Sequence, residues 1–277
     1  YKTDEYRRFW DSTLETRWGL DVRLALLDED STETGLEVAR AFVEFKGDLW
    51  ALWEDDTSTD IVARKYTGST TTWGGGGNVQ VGVDIKVALD LVATKTHLIA
   101  LHANTNDHHG FRSTDGITWA APTTDFTPAL LANAVTANED INAGLLAPTE
   151  IGGQAVAVLW HEANGTITFF SSTDAGANWV DEAVDISSGD GPHGVAVYPG
   201  IDGEDKLYVL TMEGLYEVDT VPATWTITHI PSPSGIAVYG RRMIVHDDGA
   251  LWFSLGVDDD TPAPFYRMIV QGDSREI

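Results

Sequence analysis

Short apolar runs alternate with polar, glycine-containing breaks along most of the chain, at a spacing that suits strands and not amphipathic helices. The clearest runs come as a matched pair. Gly194-Val-Ala-Val-Tyr198 is followed by Leu207-Tyr-Val-Leu-Thr211, and Gly235-Ile-Ala-Val-Tyr239 by Met243-Ile-Val-His246. Acidic glycine turns come next, Met212-Glu-Gly214 and Asp247-Asp-Gly249, each leading into a third run, Leu215–Val218 or Ala250–Ser254. Trp225–Ile230 and Phe265–Val270 close the two units.

The same order is read upstream. Unit one comprises Ala39–Phe45, Leu49–Trp53, Ile61–Tyr66 and a weak strand near Thr70–Trp73. Unit two comprises Val83–Leu89, His97–His102, Gly110–Ser113 and Thr118–Ala121. Unit three comprises Gly144–Pro148, Ala155–Trp160, Ile167–Ser171 and Asn178–Val184. The second runs align as a column: Leu49-Trp-Ala-Leu-Trp53, Leu98-Ile-Ala-Leu-His102, Val156-Ala-Val-Leu-Trp160 and Leu207-Tyr-Val-Leu-Thr211. Continuous apolar runs of this length fit strands buried on both faces. Repeats of roughly 35–60 residues with four strands each predict an all-β fold, a β-propeller of four-stranded antiparallel blades. Five repeats are complete. Residues 36–277 form the propeller in this reading. Residues 1–35 are an N-terminal arm, a ring-closing strand or part of a sixth blade. Trp73-Gly-Gly-Gly-Gly-Asn78 reads as a flexible connection between blades.

Composition narrows the function classes. The 277 residues include 43 acidic and 17 basic side chains, a formal charge of -26. Such a surface repels phosphate backbones and anionic lipid, so neither nucleic acid nor a membrane surface is an expected partner. The bland reading of the charge is solubility. Cysteine is absent, which excludes disulfides, thiolate metal sites and cysteine nucleophiles. No apolar run reaches the roughly 18 residues of a membrane-spanning helix.

One motif occurs twice. Ser172-Thr-Asp174-Ala-Gly176-Ala-Asn-Trp179 has the pattern S-x-D-x-G-x-x-W, and Ser113-Thr-Asp115-Gly116-Ile-Thr-Trp119 is one residue shorter. Asp bonds its own turn amides, Gly supplies a positive backbone angle, Ser supports the turn, and Trp packs beneath it. Both fall between the third and fourth strands of their units. In motif and placement the chain resembles the sialidase-like family of Asp-box (BNR repeat) β-propellers, over about residues 36 to 270. The resemblance implies the fold and a structural role for Ser113, Asp115, Gly116, Trp119, Ser172, Asp174, Gly176 and Trp179. It does not extend to catalysis. Sialidases share an Arg-Ile-Pro motif, an arginine triad and a Tyr–Glu pair. No Arg-Ile-Pro occurs here, and Arg23, Arg40, Arg112, Arg241, Arg242 and Arg267 have no spacing that singles out three. No catalytic residue is therefore assigned.

Other candidates are read with their plain alternatives. His102 and His246 share the strand-end column with Trp53, Trp160 and Thr211, which suits capping of blade strands. His108 and His109 adjoin Asp107, but neighbours on a strand point opposite ways, which disfavours a shared metal. Acidic turns at Glu54–Asp56, Asp202–Asp205 and Asp258–Asp260 are solvated loops or calcium sites; no other cofactor is indicated. Trp50, Trp53, Trp119, Trp160, Trp179 and Trp252 belong to strands or turns, whereas Trp10, Trp18, Trp73 and Trp225 are less fixed and suit sugar stacking or protein contact. The expected function is a non-catalytic binding or structural propeller, extracellular or in a virion or surface assembly. Its partners are proteins of that assembly or surface glycans. The alternatives are a propeller glycoside hydrolase and a lectin.

Overall fold

The computed structural model describes residues 42–55, 60–67, 72–80, 86–104, 108–126, 144–161, 165–189, 191–220, 224–230, 239–256, 265–271 and 274–277. Among them every regular element is a strand, and the strands form five sheets. The first sheet is β1 (Phe42–Phe45), β2 (Asp48–Asp55), β3 (Asp60–Thr67) and β4 (Thr72–Gln80). The second is β5 (Lys86–Ala93), β6 (Leu98–Asn104) and β7 (His108–Ser113). The third is β8 (Gly144–Leu146), β9 (Ala155–His161), β10 (Thr166–Ser172) and β11 (Val180–Ser187). The fourth is β12 (Gly194–Pro199), β13 (Asp205–Thr211), β14 (Gly214–Asp219) and β15 (Thr226–Ile230). The fifth is β16 (Tyr239–Val245), β17 (Leu251–Gly256), β18 (Phe265–Gln271) and β19 (Ser274–Glu276). Within each sheet the strands follow chain order and pair antiparallel.

Sheet faces, not sheets, make the cores. On β9, Ala155, Ala157 and Leu159 pack with Ile99, Leu101 and Trp179. The alternate residues, Val156, Val158 and Trp160, pack with Val195, Leu207 and Val209 of the fourth sheet. The whole of β9 is buried as a result. Trp50, Leu52 and Ile61 meet Leu91, Leu98 and Ala100 between the first and second sheets. Tyr208 and Leu210 meet Leu251 and Phe253 between the fourth and fifth. The first strands β1, β5, β8, β12 and β16 touch one another in succession. They are therefore the inner strands of successive blades, and the predicted propeller of antiparallel blades is what the chain forms, with four of the five described sheets four-stranded and the second three-stranded. Among the described residues, the fifth and first sheets make no contact of comparable extent. Residues 1–35 lie outside the described residues.

Three strand assignments differ from the sequence reading. Gly74–Gly77 belongs to β4 and is not a connection. A β-carbon on Gly76 would fall 1.9 Å from the Ala63 carbonyl oxygen, and one on Gly77 1.9 Å from that of Ile117. The tract is glycine because backbone closes on backbone there, not because the chain must flex. In the second sheet, the predicted strand Thr118–Ala121 is reduced to a single bridge between Arg112 and Ala120. In the fifth, the Met243–His246 run is the inner strand β16, not the second, and the C-terminal Ser274–Glu276 supplies the outer strand. The Gly235 run lies outside the described residues except at Tyr239. The apolar pattern repeats, but the two units are offset by one strand.

The glycine explanation has a direct check. Gly77→Ala should cost about 2–3 kcal/mol, the expense of overpacking against backbone that cannot move aside. Gly74→Ala, with open space at its β-carbon position, should change stability by less than about 0.5 kcal/mol. Urea unfolding of the two variants separates them.

Candidate functional site

In a blade whose strands run in order, the first-to-second and third-to-fourth hairpins share one end. The second-to-third hairpins and the connections between blades share the other. Both Ser–Asp–Gly–Trp turns leave a third strand, β7 or β10, so they lie at the first end.

The two turns are built alike. Ser113 Oγ accepts from the Gly116 amide at 2.7 Å and donates to Asp115 Oδ1 at 3.0 Å. Asp115 Oδ1 accepts the Ile117 and Thr118 amides, each at 2.8 Å. Those backbone bonds hold the Asp115 carboxyl below its ordinary range. In the second turn, Ser172 Oγ accepts from Gly176 and donates to Asp174, both at 2.8 Å. Asn178 donates its amide at 2.9 Å to one Asp174 oxygen and its side-chain nitrogen at 2.6 Å to the other. Partial burial pushes the Asp174 carboxyl up, but the Asn178 bonds with those from Ser172 and Ala177 outweigh it, leaving it at about 2. Gly116 and Gly176 take φ of 72° and 83°.

Each turn docks on the preceding blade. Gly116 lies against the Trp50 indole, which a β-carbon there would approach to 2.2 Å. Gly176 lies over Ile99, which holds the position on β6 that Trp50 holds on β2. Trp119 packs on the core between the first and second sheets, and Trp179 within that between the second and third. Polar straps follow the same path. Gly77 donates its amide to Gly116 O at 3.1 Å, and Lys46 Nζ reaches Thr114 O at 2.7 Å. Arg112 Nη1 donates to Asp174 O at 3.0 Å. The segment after the first turn runs beside the second: Thr123 donates to Ala177 O at 2.7 Å and Trp179 to Thr124 O at 2.9 Å.

The same end carries a cleft of about 520 Å³ where the first hairpins of three blades converge. The β1–β2 turn contributes Glu44, Phe45 and Lys46, the β5–β6 turn Thr94 and Lys95, and the segment before β9 Thr149 and Glu150. Lys46 and Gly47 both have positive φ, 54° and 82°. That is the two-residue hairpin geometry in which Asn-Gly is the usual choice. Nearby His97 has its pKa lowered, first by burial and then by the charges of Arg112 and Lys46.

At the opposite end, among the described residues, the exposed Glu213 carboxylate ties buried hydroxyls together. Glu213 accepts from Ser188 Oγ at 2.6 Å, Thr211 Oγ1 at 3.0 Å and the Gly189 amide at 2.7 Å. His108 and His161 are buried there on facing sheets. His102 is buried within β6, not at its end, and His246 is an exposed residue of the β16–β17 turn, so the shared column predicted for them does not hold. His109 bonds Asp125 at 2.8 Å. The Asp107 partner lies outside the described residues, as do the side chains of Glu54–Asp56 and Asp258–Asp260. In the Asp202–Asp205 turn, Lys206 Nζ sits 2.7 Å from Asp202, where a cation would stand. No cluster of three metal-ligating side chains occurs among the described residues. Trp225 is buried against Phe169, not free for contact.

One constellation escaped sequence reasoning. The Tyr208 hydroxyl donates to Glu217, its cross-strand partner, and Arg275 of β19 binds the same carboxylate. Burial, then the Glu217 carboxylate, push the phenol pKa well above its usual value. The Tyr208–Glu217 pairing is readable from the short turn that sets the register. Arg275 arrives from the far end of the chain, and no local signal announces it.

No family model matches the chain, and no curated protein matches its sequence. Solved structures do. A variant of the NanB sialidase from Streptococcus pneumoniae is 12% identical, with a TM-score of 0.50 over 73% of this chain and 33% of that one. An intramolecular trans-sialidase from Ruminococcus gnavus (12%, TM-score 0.46, 77% and 52%) and a putative glucose dehydrogenase from Thermus thermophilus (13%, 0.49, 79% and 78%) also match. The chain spans about a third of the length of the NanB structure.

Asp174→Ala should lower stability by about 1–2 kcal/mol, the worth of its charge-assisted bonds at a largely solvent-facing turn. Because the folded carboxyl lies near 2 against 3.8 unfolded, its contribution is full above pH 4 and fades as pH falls toward 2. Denaturation of parent and variant across that window should converge at its acid end. The sialidase-like β-propeller is thus the fold of this chain, and its likeness to those enzymes is one of fold.

Proposed function

We propose that this chain is a non-catalytic propeller, a binding or structural module that works outside the cell or within a virion or surface assembly and engages protein partners or surface glycans. We read its two Ser–Asp–Gly–Trp turns as Asp-boxes whose task is to strap blades together. The observation that carries the reading is the employment of the residue types that sialidase chemistry would need. Tyr208 is fully buried and its phenol is held protonated, the reverse of an activated nucleophile. Arg64 is bonded to the Ala63 and Gly77 carbonyls, Arg112 to Asp174 O, Arg267 to Asp248 and Arg275 to Glu217. Each of these guanidiniums serves a strand or a turn, and no two of them share one of these partners. The acidic exterior and the cleft at the inner hairpins suit a module that presents a surface.

Turnover of aryl glycosides and sialosides should stay at the buffer rate, for the parent and for Tyr208→Phe alike. Parent turnover that the Phe variant abolishes would overturn the non-catalytic reading. In parallel, a glycan array and light scattering with candidate surface proteins should yield at least one saturable partner. A monomer that binds nothing in either screen counts against a binding role.

A further inference from the structure

The cleft has a charge pattern that specifies its ligand more closely than its size does. In a chain with 17 cations against 43 carboxylates, half of the cations with described side chains are paired with acids. Lys65 pairs with Asp48, Lys206 with Asp202 and Asp219, Arg267 with Asp248 and Arg275 with Glu217. The two lysines of the cleft are not. Lys46 spends one donor on Thr114 O and lies 4.9 Å from the Phe45 ring centre, with two donors remaining. Lys95 is exposed. It sits on the neighbouring blade, and its ammonium makes no hydrogen bond or ion pair among the described residues.

The carboxylates of the cleft are equally uncommitted. Glu44, on the first blade, and Glu150, on the third, make no ion pair among the described residues, although lysines line the same cleft. Lys46 and Lys95 thus stand on the walls of the first and second blades, Glu44 beside Lys46 on the first, and Glu150 on the third. A volume of about 520 Å³ is in the range of small-ligand sites. It exceeds what a single small ion fills.

Resting on the binding-module reading, we propose that this cleft binds a short zwitterionic peptide. Its carboxylate is held by Lys46 and Lys95 and its ammonium by Glu150, with Glu44 assisting. Thr94 and Thr149 border the path between the two ends. A dianion would meet Glu44 and Glu150, and a dication would meet the two lysines. A ligand with one charge of each sign can turn its anion to the two lysines and its cation to Glu150.

The test is calorimetric titration of the full chain with trialanine, N-acetyl-trialanine, trialanine amide and the doubly blocked peptide. Trialanine should bind saturably, and each single block should weaken it about tenfold or more. Lys95→Ala should lose sensitivity to C-terminal amidation while keeping sensitivity to N-acetylation, and Glu150→Gln should show the reverse. Both variants should melt with the parent, since neither side chain makes a hydrogen bond or ion pair among the described residues. Equal binding of the doubly blocked peptide, or no saturable heat at millimolar trialanine, overturns the proposal. A glycan or protein ligand from the screens above that both variants bind at parental affinity overturns the cleft assignment and leaves the binding-module reading standing.

Discussion

Everything in this structure depends on one constraint: a blade has two apolar faces and no interior of its own. β9 shows it in seven consecutive buried residues, half packed one way and half the other. A sheet of that kind is insoluble alone and is satisfied only between neighbours. The free energy of folding therefore resides in the seams between blades. What the chain does elsewhere is keep those seams in register.

The turn chemistry serves that end. Apolar faces slide on each other at little cost, because hydrophobic contact is not directional. Hydrogen bonds are directional, and the two Ser–Asp–Gly–Trp turns supply them at the rims of the first–second and second–third seams. Asp fixes the turn, Gly lets it sit flush on the preceding blade, and Trp drives a large ring into the seam. Arg112 then joins one turn to the next. The motif is a spacer and clamp between blades as much as a hairpin.

Much of the fold was legible because burial on both faces leaves continuous apolar runs, and β2, β6, β9 and β13 were each visible as such. The polyglycine strand was not. Sequence rules treat glycine as freedom, while here it answers a clash between backbones 13 residues and about 40 residues apart in the chain, at Ala63 and Ile117. The one-strand offset of the fifth unit was hidden for a related reason. Inner and second strands carry the same apolar pattern, and only pairing with Ser274–Glu276 distinguishes them. The Ser–Asp–Gly–Trp turns were legible because their bonds are local. The cleft residues Glu44, Lys46, Lys95 and Glu150 were not, being ordinary surface charges brought together by the ring.

The straps at Lys46 and Arg112 end on backbone carbonyls, Thr114 O and Asp174 O, not on carboxylates. A guanidinium or ammonium held at contact distance by a peptide dipole loses little when counter-ions crowd the surface. The mutual repulsion of a chain at -26 is long-ranged and loses much. Rising ionic strength thus removes the force that pushes the blades apart and spares the bonds that hold these seams.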